Sequence, residues 1–340
     1  MDTEKIFLDR SATPRVSVLT TVFNCERFVR EALESVRAQT FTDWEHIVVD
    51  DASTDGTAAV LAQAAQEDPR LHVVHLSKNL GPGGAMQVAL ARARGEFVAI
   101  LDADDVCEPA RLQRQVERLA AEPGIAVLGT WVLKIDEHGA TLEVKRYTDN
   151  PDLLLWTSHH GMPLTHSSMM MRTAALRSVG GYDAAMWTMC DYDVVVRMSE
   201  IGDLVVLPEV LVRYRRTPGQ ITQAQIPRQM NQMVLRIHSL LRTRYGLHAP
   251  LSEVRGYYLG LRMNELLPSF VPRWIELQSQ ILQAHLRWRP ISKERERRLR
   301  LKCASACRKL CDRQAADPVG SELLRRAAEA YEAHDDGLHV

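Results

Sequence analysis

A chain of 340 residues exceeds the usual span of one hydrophobic core, so a large domain with an appendage, or two domains, is expected. Apolar residues make up 46% and charged residues 25%, with a formal net charge of −1, which argues against disordered and fibrous classes and against whole-molecule attraction for nucleic acid. No segment approaches 18 continuous apolar residues, "MDTEKIFLDRSATPR" lacks a signal-peptide core, and the six cysteines show neither a disulfide framework nor paired C-x-x-C spacing, so a cytoplasmic location is expected.

From residue 16 the chain alternates β-rich runs with helical patterns, as βαβ units on a mostly parallel sheet do. "VSVLTTV" (16–22) reads as a strand, and "ERFVREALESVRAQ" (26–39) as a helix with Phe28, Ala32, Leu33 and Val36 on one face. "EHIVVD" is a second strand, ending at Asp50 and Asp51. "STDGTAAVLAQAAQE" then starts a helix, with Ser53, Thr54, Asp55 and Thr57 as candidate N-caps. "LHVVHL" is a third strand, "GGAMQVALARAR" a helix ended by Gly95, and "EFVAIL" a fourth strand. This last strand delivers Asp102, Asp104 and Asp105 at its carboxyl end, where open α/β sheets bind ligands. "VLGTWVLKID" and "ATLEVKRY", joined by "EHG", read as a hairpin. Past residue 225 strand signals vanish, and helices separated by Pro272, Pro290 and Pro318 take over. The expected domains are 1–225, α/β, and 226–340, helical.

Three carboxylates directly after an apolar run repel one another, and desolvation raises the cost of ionising them, so a cation is expected nearby. An EF-hand is excluded, because Val106 and Cys107 stand where an oxygen ligand and glycine are required. Two readings stay open: Asp104 or Asp105 caps a helix starting near Glu108, or the group holds Mg²⁺ or Mn²⁺, hard ions that use one or two carboxylates and complete their shell with water and phosphate. "NLGPGGAM" fails the G-x-G-x-x-G fingerprint and reads as a structural turn near the cleft.

"VSVLTTVFN", "QTFTDWEHIVVDDASTDGT", "NLGPGGAMQVALARARGEFVAILDADD", "HSSMMMR", "VGGYD" and "CDYDVVVRM" follow one another in this order. The series resembles the family 2 glycosyltransferases of the GT-A fold, over residues 14–222. The resemblance implies an inverting transfer of a sugar from a nucleotide diphosphate donor, taken as a UDP-sugar, to a hydroxyl acceptor. It implies that Thr21 and Phe23 line and stack on the base, with Asp51 accepting its ring N–H beside Asp50. Phe23 stands where many members have Tyr, which keeps the stacking face. It implies further that Asp104 ligates Mn²⁺ or Mg²⁺, that Asp102 holds the ribose or the metal's water shell, and that Asp105 supports them. Asp191 in "CDYD" aligns with the family's general base, although Cys190 replaces the usual Glu. His166, Trp187 and Arg215 fall in segments bordering the acceptor or diphosphate. A family His after the last strand is missing here, leaving Arg215 or Arg216 to substitute.

Cys303, Cys307 and Cys311 share a helix face and read as small core residues. "RWRPISKERERRLRLK" carries eight basic and two acidic residues and, with Trp274 and Trp288, raises peripheral membrane contact or self-association through the helical region. A solvated helix face is the simpler reading. The rival functions are a sugar-phosphate nucleotidyltransferase, whose Gly- and Arg-rich amino-terminal signature is lacking, and a degenerate transferase kept as a binding module.

Overall fold

The computed structural model describes residues 13–159, 161–217, 226–262, 266–313 and 317–333. Most of the stretch read for a signal peptide, the end of the family resemblance and the expected boundary at 225 lie outside the described residues. By their internal contacts the residues form two compact units, Met1–Asp149 with Leu164–Gln220, and Asn150–Pro163 with Ile221–Val340.

The first unit opens with β1 (Val16–Val22), α1 (Val29–Arg37), β2 (Trp44–Asp50), α2 (Thr57–Glu67), β3 (Leu71–His75), α3 (Gly81–Arg92) and β4 (Phe97–Ile100). These four strands lie parallel in the order β3-β2-β1-β4. Continuous apolar runs such as "FVAI" suit strands buried on both faces. Val16, Val18, Phe97, Ala99 and Leu101 share one core with Ala32 and Val36 of α1. The chain continues through β5 (Val106–Cys107), α4 (Arg111–Ala121), β6 (Ile125–Ile135), β7 (Thr141–Lys145) and α5 (Pro151–Thr157), the last belonging to the second unit. A single 3₁₀ turn (His166–Ser168), β8 (Met170–Arg172), α6 (Thr173–Ser178), α7 (Cys190–Met198) and β9 (Asp203–Arg215) complete the first unit. The sheet runs β3-β2-β1-β4-β8-β6-β9-β5, with β7 paired to β6 as the expected hairpin. β8 is antiparallel to both β4 and β6, so the parallel half ends at β4, whose carboxyl end carries the acidic loop.

Two local expectations are corrected. Gly56, not Ser53, Thr54, Asp55 or Thr57, stands in the cap position of α2; Asp55 still serves the helix start, its Oδ1 accepting the Thr57 N–H at 3.0 Å, while Ser53, Thr57 and the other Asp55 oxygen accept from the loop after β1. Gly95 does not end α3, which stops at Arg92 with Ala93 as its cap; a Cβ at Gly95 would lie 2.5 Å from the Ser17 amide nitrogen, and Ser17 Oγ accepts the Gly95 N–H at 2.8 Å.

The second unit consists of α5 with α8 (Ile226–Tyr245), α9 (Leu251–Arg262), a 3₁₀ turn (Pro268–Phe270), α10 (Val271–Trp288), α11 (Lys293–Arg313) and α12 (Pro318–Ala333). Pro272 lies in the first turn of α10, Pro290 in the connection to α11, and Pro318 opens α12. Asn150 caps α5 by accepting the N–H groups of Asp152 and Leu153. Asp152, fully buried, pairs with Arg289 at 3.3 Å and with Arg295. The Tyr245 hydroxyl bridges His159 Nε2 at 2.8 Å and His285 Nδ1 at 2.9 Å. Cys303 and Cys307 are buried in α11, where Gln278 donates to the Cys303 carbonyl at 3.2 Å. Among the described residues, no helix is long and apolar enough to cross a membrane.

Candidate active site

Beyond β4 the acidic loop turns on an Asp105 N–H to Asp102 carbonyl bond of 3.1 Å. The Asp105 side chain points inward and is fully buried; Oδ1 accepts the Arg215 backbone N–H at 2.7 Å. Its Oδ2 meets no donor in good hydrogen-bond geometry, while the Ser167 hydroxyl favours the charged carboxyl. Burial, then the charges of Asp104 and Asp102, push the Asp105 carboxyl well above the usual range. The cation expected beneath the cluster includes a residue no motif announced. Arg111, fully buried, donates to the carbonyls of Ile100 at 2.8 Å and Met169 at 3.2 Å, and its Nε bonds Gln115 at 3.0 Å. Arg111 and Gln115 share the buried face of α4 with Leu112 and Leu119, and that spacing was the available signal. α4 starts after Ala110 with no side-chain cap, so the capping reading of Asp104 and Asp105 is set aside.

Asp102 is held from two sides. Its N–H donates to Ser167 Oγ at 3.1 Å, and its Oδ1 accepts from His166 Nδ1 at 3.1 Å. His166 Nε2 pairs with the Tyr182 hydroxyl at 3.0 Å. Burial alone would raise Asp102 and lower His166, but their mutual attraction reverses both, holding the carboxyl low and the imidazole high; Asp191 adds to the rise of His166. Asp102, His166 and Asp191 therefore form one electrostatic group.

Asp191 lies in the first turn of α7, half-buried, where acidic groups favour the helix dipole. Met189 turns the chain into α7 with φ 60°, and Arg197 anchors the helix through Asp193 and the Gly181 carbonyl at 2.6 Å. The Cys190 thiol is raised by burial, then by Asp191 and Asp102, so it is protonated and carries no charge into the site.

At the carboxyl ends of β1 and β2, Thr21 is half-buried and the Phe23 ring is 49% exposed. The loops after these strands are tied together: Asn24 N–H donates to Ser53 Oγ, Asn24 Oδ1 accepts the Thr54 N–H at 2.7 Å, Cys25 N–H donates to Thr57 Oγ1, and Glu26 accepts the Gly56 N–H. Asp51 Oδ1 accepts the Leu80 N–H at 2.7 Å; burial raises its carboxyl, and the Leu80 and Gly81 N–H groups oppose that. Asp50 serves Ser53 N–H and His75 Nδ1, at 3.0 and 2.9 Å. The glycines of "NLGPGGAM" are close-approach positions. Gly81 has φ +73°, and a Cβ there would lie 2.9 Å from the Trp187 ring; one at Gly83 would lie 2.4 Å from the Asp183 carbonyl oxygen. Trp187, 40% exposed, thus lies against the start of α3.

The model of the family described as glycosyl transferase family 2 matches residues 17–180. The protein EpsE of Bacillus subtilis (strain 168) is 34% identical over 193 residues, covering 56% of this chain and 68% of its own. The chain belongs to glycosyltransferase family 2. The amylovoran biosynthesis glycosyltransferase AmsE of Erwinia amylovora is 30% identical over 202 residues, covering 58% of this chain and 75% of its own. In fold, this family 2 enzyme is similar to S. aureus TarS 1–349 in complex with UDP-GlcNAc, with a TM-score of 0.56 at 20% identity over 95% of this chain and 93% of that one. It is also similar to the mannosyltransferase PcManGT from Pyrobaculum calidifontis in complex with GDP-Man and Mn²⁺, with a TM-score of 0.54 at 18% identity over 96% and 89% of the two chains. These likenesses carry the GT-A fold, including the helical carboxy-terminal region.

Within this family 2 scaffold the candidate residues fall into three places. Asp102, Asp104, Asp105, His166 and Asp191 gather around the acidic loop, Thr21, Phe23, Asp50 and Asp51 stand at the carboxyl ends of β1 and β2, and Trp187 covers Gly81. Arg215 departs from the expected phosphate contact: it is buried, donating to the Asp104 carbonyl at 2.8 Å and to Glu31. Arg216 beside it is exposed. For a divalent ion the donor set is hard oxygen, with Asp102 and Asp104 half-exposed above a buried carboxylate that lacks a full set of donors. Among the described residues no three His, Cys, Asp or Glu side chains converge as a closed cage. One or two carboxylates with the shell completed by water and phosphate is the pattern of Mg²⁺ and Mn²⁺ bound with a nucleotide, so the residues fit. Ser167, Tyr182 and Arg111 support the site and were not singled out from sequence.

Proposed function

We propose that this family 2 enzyme is an inverting transferase that moves a sugar from a UDP-sugar to a hydroxyl of an acceptor. The reading is carried by one observation: the half-exposed carboxylates of Asp102 and Asp104 stand at the carboxyl end of β4, and Asp102 shares one electrostatic group with His166 and Asp191. Thr21 and Phe23 hold the base, with Asp51 fixing the turn at Leu80 that borders it. Asp104, with Asp102, would hold Mn²⁺ or Mg²⁺, which when bound would supply positive charge against the diphosphate. Asp191 accepts the proton of the attacking hydroxyl as its oxygen bonds to the anomeric carbon. The bond from that carbon to the diphosphate breaks, and its electron pair leaves on the phosphate oxygen. His166 is committed at both ring nitrogens, so it holds Asp102 in place rather than taking that proton.

The basic run 287–302 gives little support to membrane contact, because Arg289 and Arg295 pair with Asp152, Arg298 with Glu294, and Arg300 with Glu296. Calorimetry of UDP with and without Mn²⁺, on the wild type and on Asp104→Ala, tests the donor site. Tighter binding with metal in the wild type alone is expected, and equal affinity in all four titrations would refute it.

A further inference from the structure

Arg215 ends β9 with 2% of its surface exposed, and its contacts reach three separate parts of the first unit. Its backbone N–H donates to Asp105 Oδ1 at 2.7 Å and its Nε to the Asp104 carbonyl at 2.8 Å. One Nη donates to the Asp136 carbonyl, in the turn after β6, at 3.3 Å; the other donates to Glu31 of α1 at 2.5 Å. The guanidinium carbon lies 4.8 Å from the Phe28 ring centroid, just before α1. These partners are brought together only by the fold. A guanidinium presents its donors in a rigid planar fork, so several acceptors held at once fix one another's positions. The Asp104 peptide is among them, and a peptide held at its carbonyl directs the side chain beside it.

We infer that Arg215 is a positioning residue that aims the Asp104 carboxylate by clamping the acidic loop to α1 and to the β6–β7 turn. The inference rests on Asp104 as the metal-holding carboxylate. Lysine keeps the charge in that place but offers a single rotating ammonium, which cannot reproduce the fork.

The test is UDP binding titrated with Mn²⁺, by calorimetry, alongside melting curves, on the wild type, Arg215→Lys and Glu31→Ala. Partners that orient a metal ligand are typically worth about 10- to 100-fold in metal affinity, so Arg215→Lys raises the Mn²⁺ needed for half-maximal binding by that factor, while UDP binding without metal is unchanged. Glu31, whose side chain is 52% exposed, can be removed without opening the core; its loss moves the Mn²⁺ requirement the same way by about 2- to 5-fold. An unchanged Mn²⁺ requirement in folded Arg215→Lys overturns the inference, and so does an unchanged requirement in Glu31→Ala if the lysine variant does not fold. Wild-type UDP affinity indifferent to Mn²⁺ overturns the assignment of Asp104 itself and the clamp with it, and that outcome is recognised in the unmutated protein.

Discussion

Asp191 and Arg111 represent two kinds of charged residue at the site, one half-buried and proposed as the base, the other fully buried and spent on the fold. Asp191→Asn keeps size and hydrogen bonding but removes basicity, so turnover falls by about 10²–10⁴-fold while UDP affinity is unchanged. Single-turnover kinetics with calorimetry checks this; lost UDP binding would move Asp191 to the donor site. Arg111→Leu takes the guanidinium donor from the Ile100 carbonyl and from the Met169 carbonyl, which keeps only the Ile100 N–H at 3.0 Å, and removes a positive charge that lowers Asp102, which costs roughly 3–5 kcal/mol in a denaturant titration. The two residues were unequally legible. Asp191 stands in a motif with its neighbours, whereas Arg111 looks like any basic helix residue until its register with Leu112 and Leu119 shows that it faces inward. Arg215 was visible as a charge near the site, but its burial and its bond to Asp105 join residues 110 apart in sequence.

At the scale of elements, α3 meets the segment before α7 through glycines instead of side chains. A Cβ at Gly83 would come within 2.4 Å of the Asp183 carbonyl oxygen and 2.6 Å of that of Met186, both backbone atoms that cannot swing aside. Gly83→Ala therefore destabilises by about 1–3 kcal/mol. Gly124, between α4 and β6, meets nothing within 4 Å, so Gly124→Ala is neutral or stabilising by up to about 1 kcal/mol. Thermal melting of the pair checks the contrast, and equal melting temperatures would contradict it. The parallel strands, their crossover helices and the β6–β7 hairpin were legible because each rests on local periodicity and turn residues. β5, β8 and the place of α5 were not, since two- and three-residue strands carry no period and α5 finds its partners more than 130 residues downstream.

For the molecule as a whole, two histidines buried in neutral form, His46 and His285, weaken the fold in acid, opposite in sign to His166, whose imidazole is held high. His46 in the first unit bonds Thr20 Oγ1 at 2.9 Å; that hydroxyl already donates to the Leu101 carbonyl, so His46 Nε2 is the donor. Burial takes His46 down to about 3, and burial with Arg289 and Arg244 takes His285 of the second unit down to about 4. Both are neutral when folded, whereas the unfolded chain protonates them below about pH 6.5. Between that pH and the folded values the unfolded state binds more protons, so stability falls as pH falls, by roughly 2 kcal/mol per histidine from pH 7 to pH 5. Urea titrations at the two pH values check the loss, and His46→Gln and His285→Gln each flatten it; no change in stability across that range would refute it.

The division of the chain also bears on the order in which its parts can fold. α5 leaves the ribosome with Leu154, Leu155, Trp156 and Asp152 destined for burial, yet Arg289 and Arg295, which neutralise Asp152, are made more than 130 residues later. During synthesis at about 5–20 residues per second, this short segment waits on the order of ten seconds with apolar surface uncovered. Removing 221–340 makes the wait permanent, so a truncated chain exposes that surface and precipitates, while one that also replaces 150–163 with a polar linker stays dispersed. Comparing the two chains by sedimentation after expression decides the point, and a dispersed simple truncation would show that α5 needs no partner from the later helices.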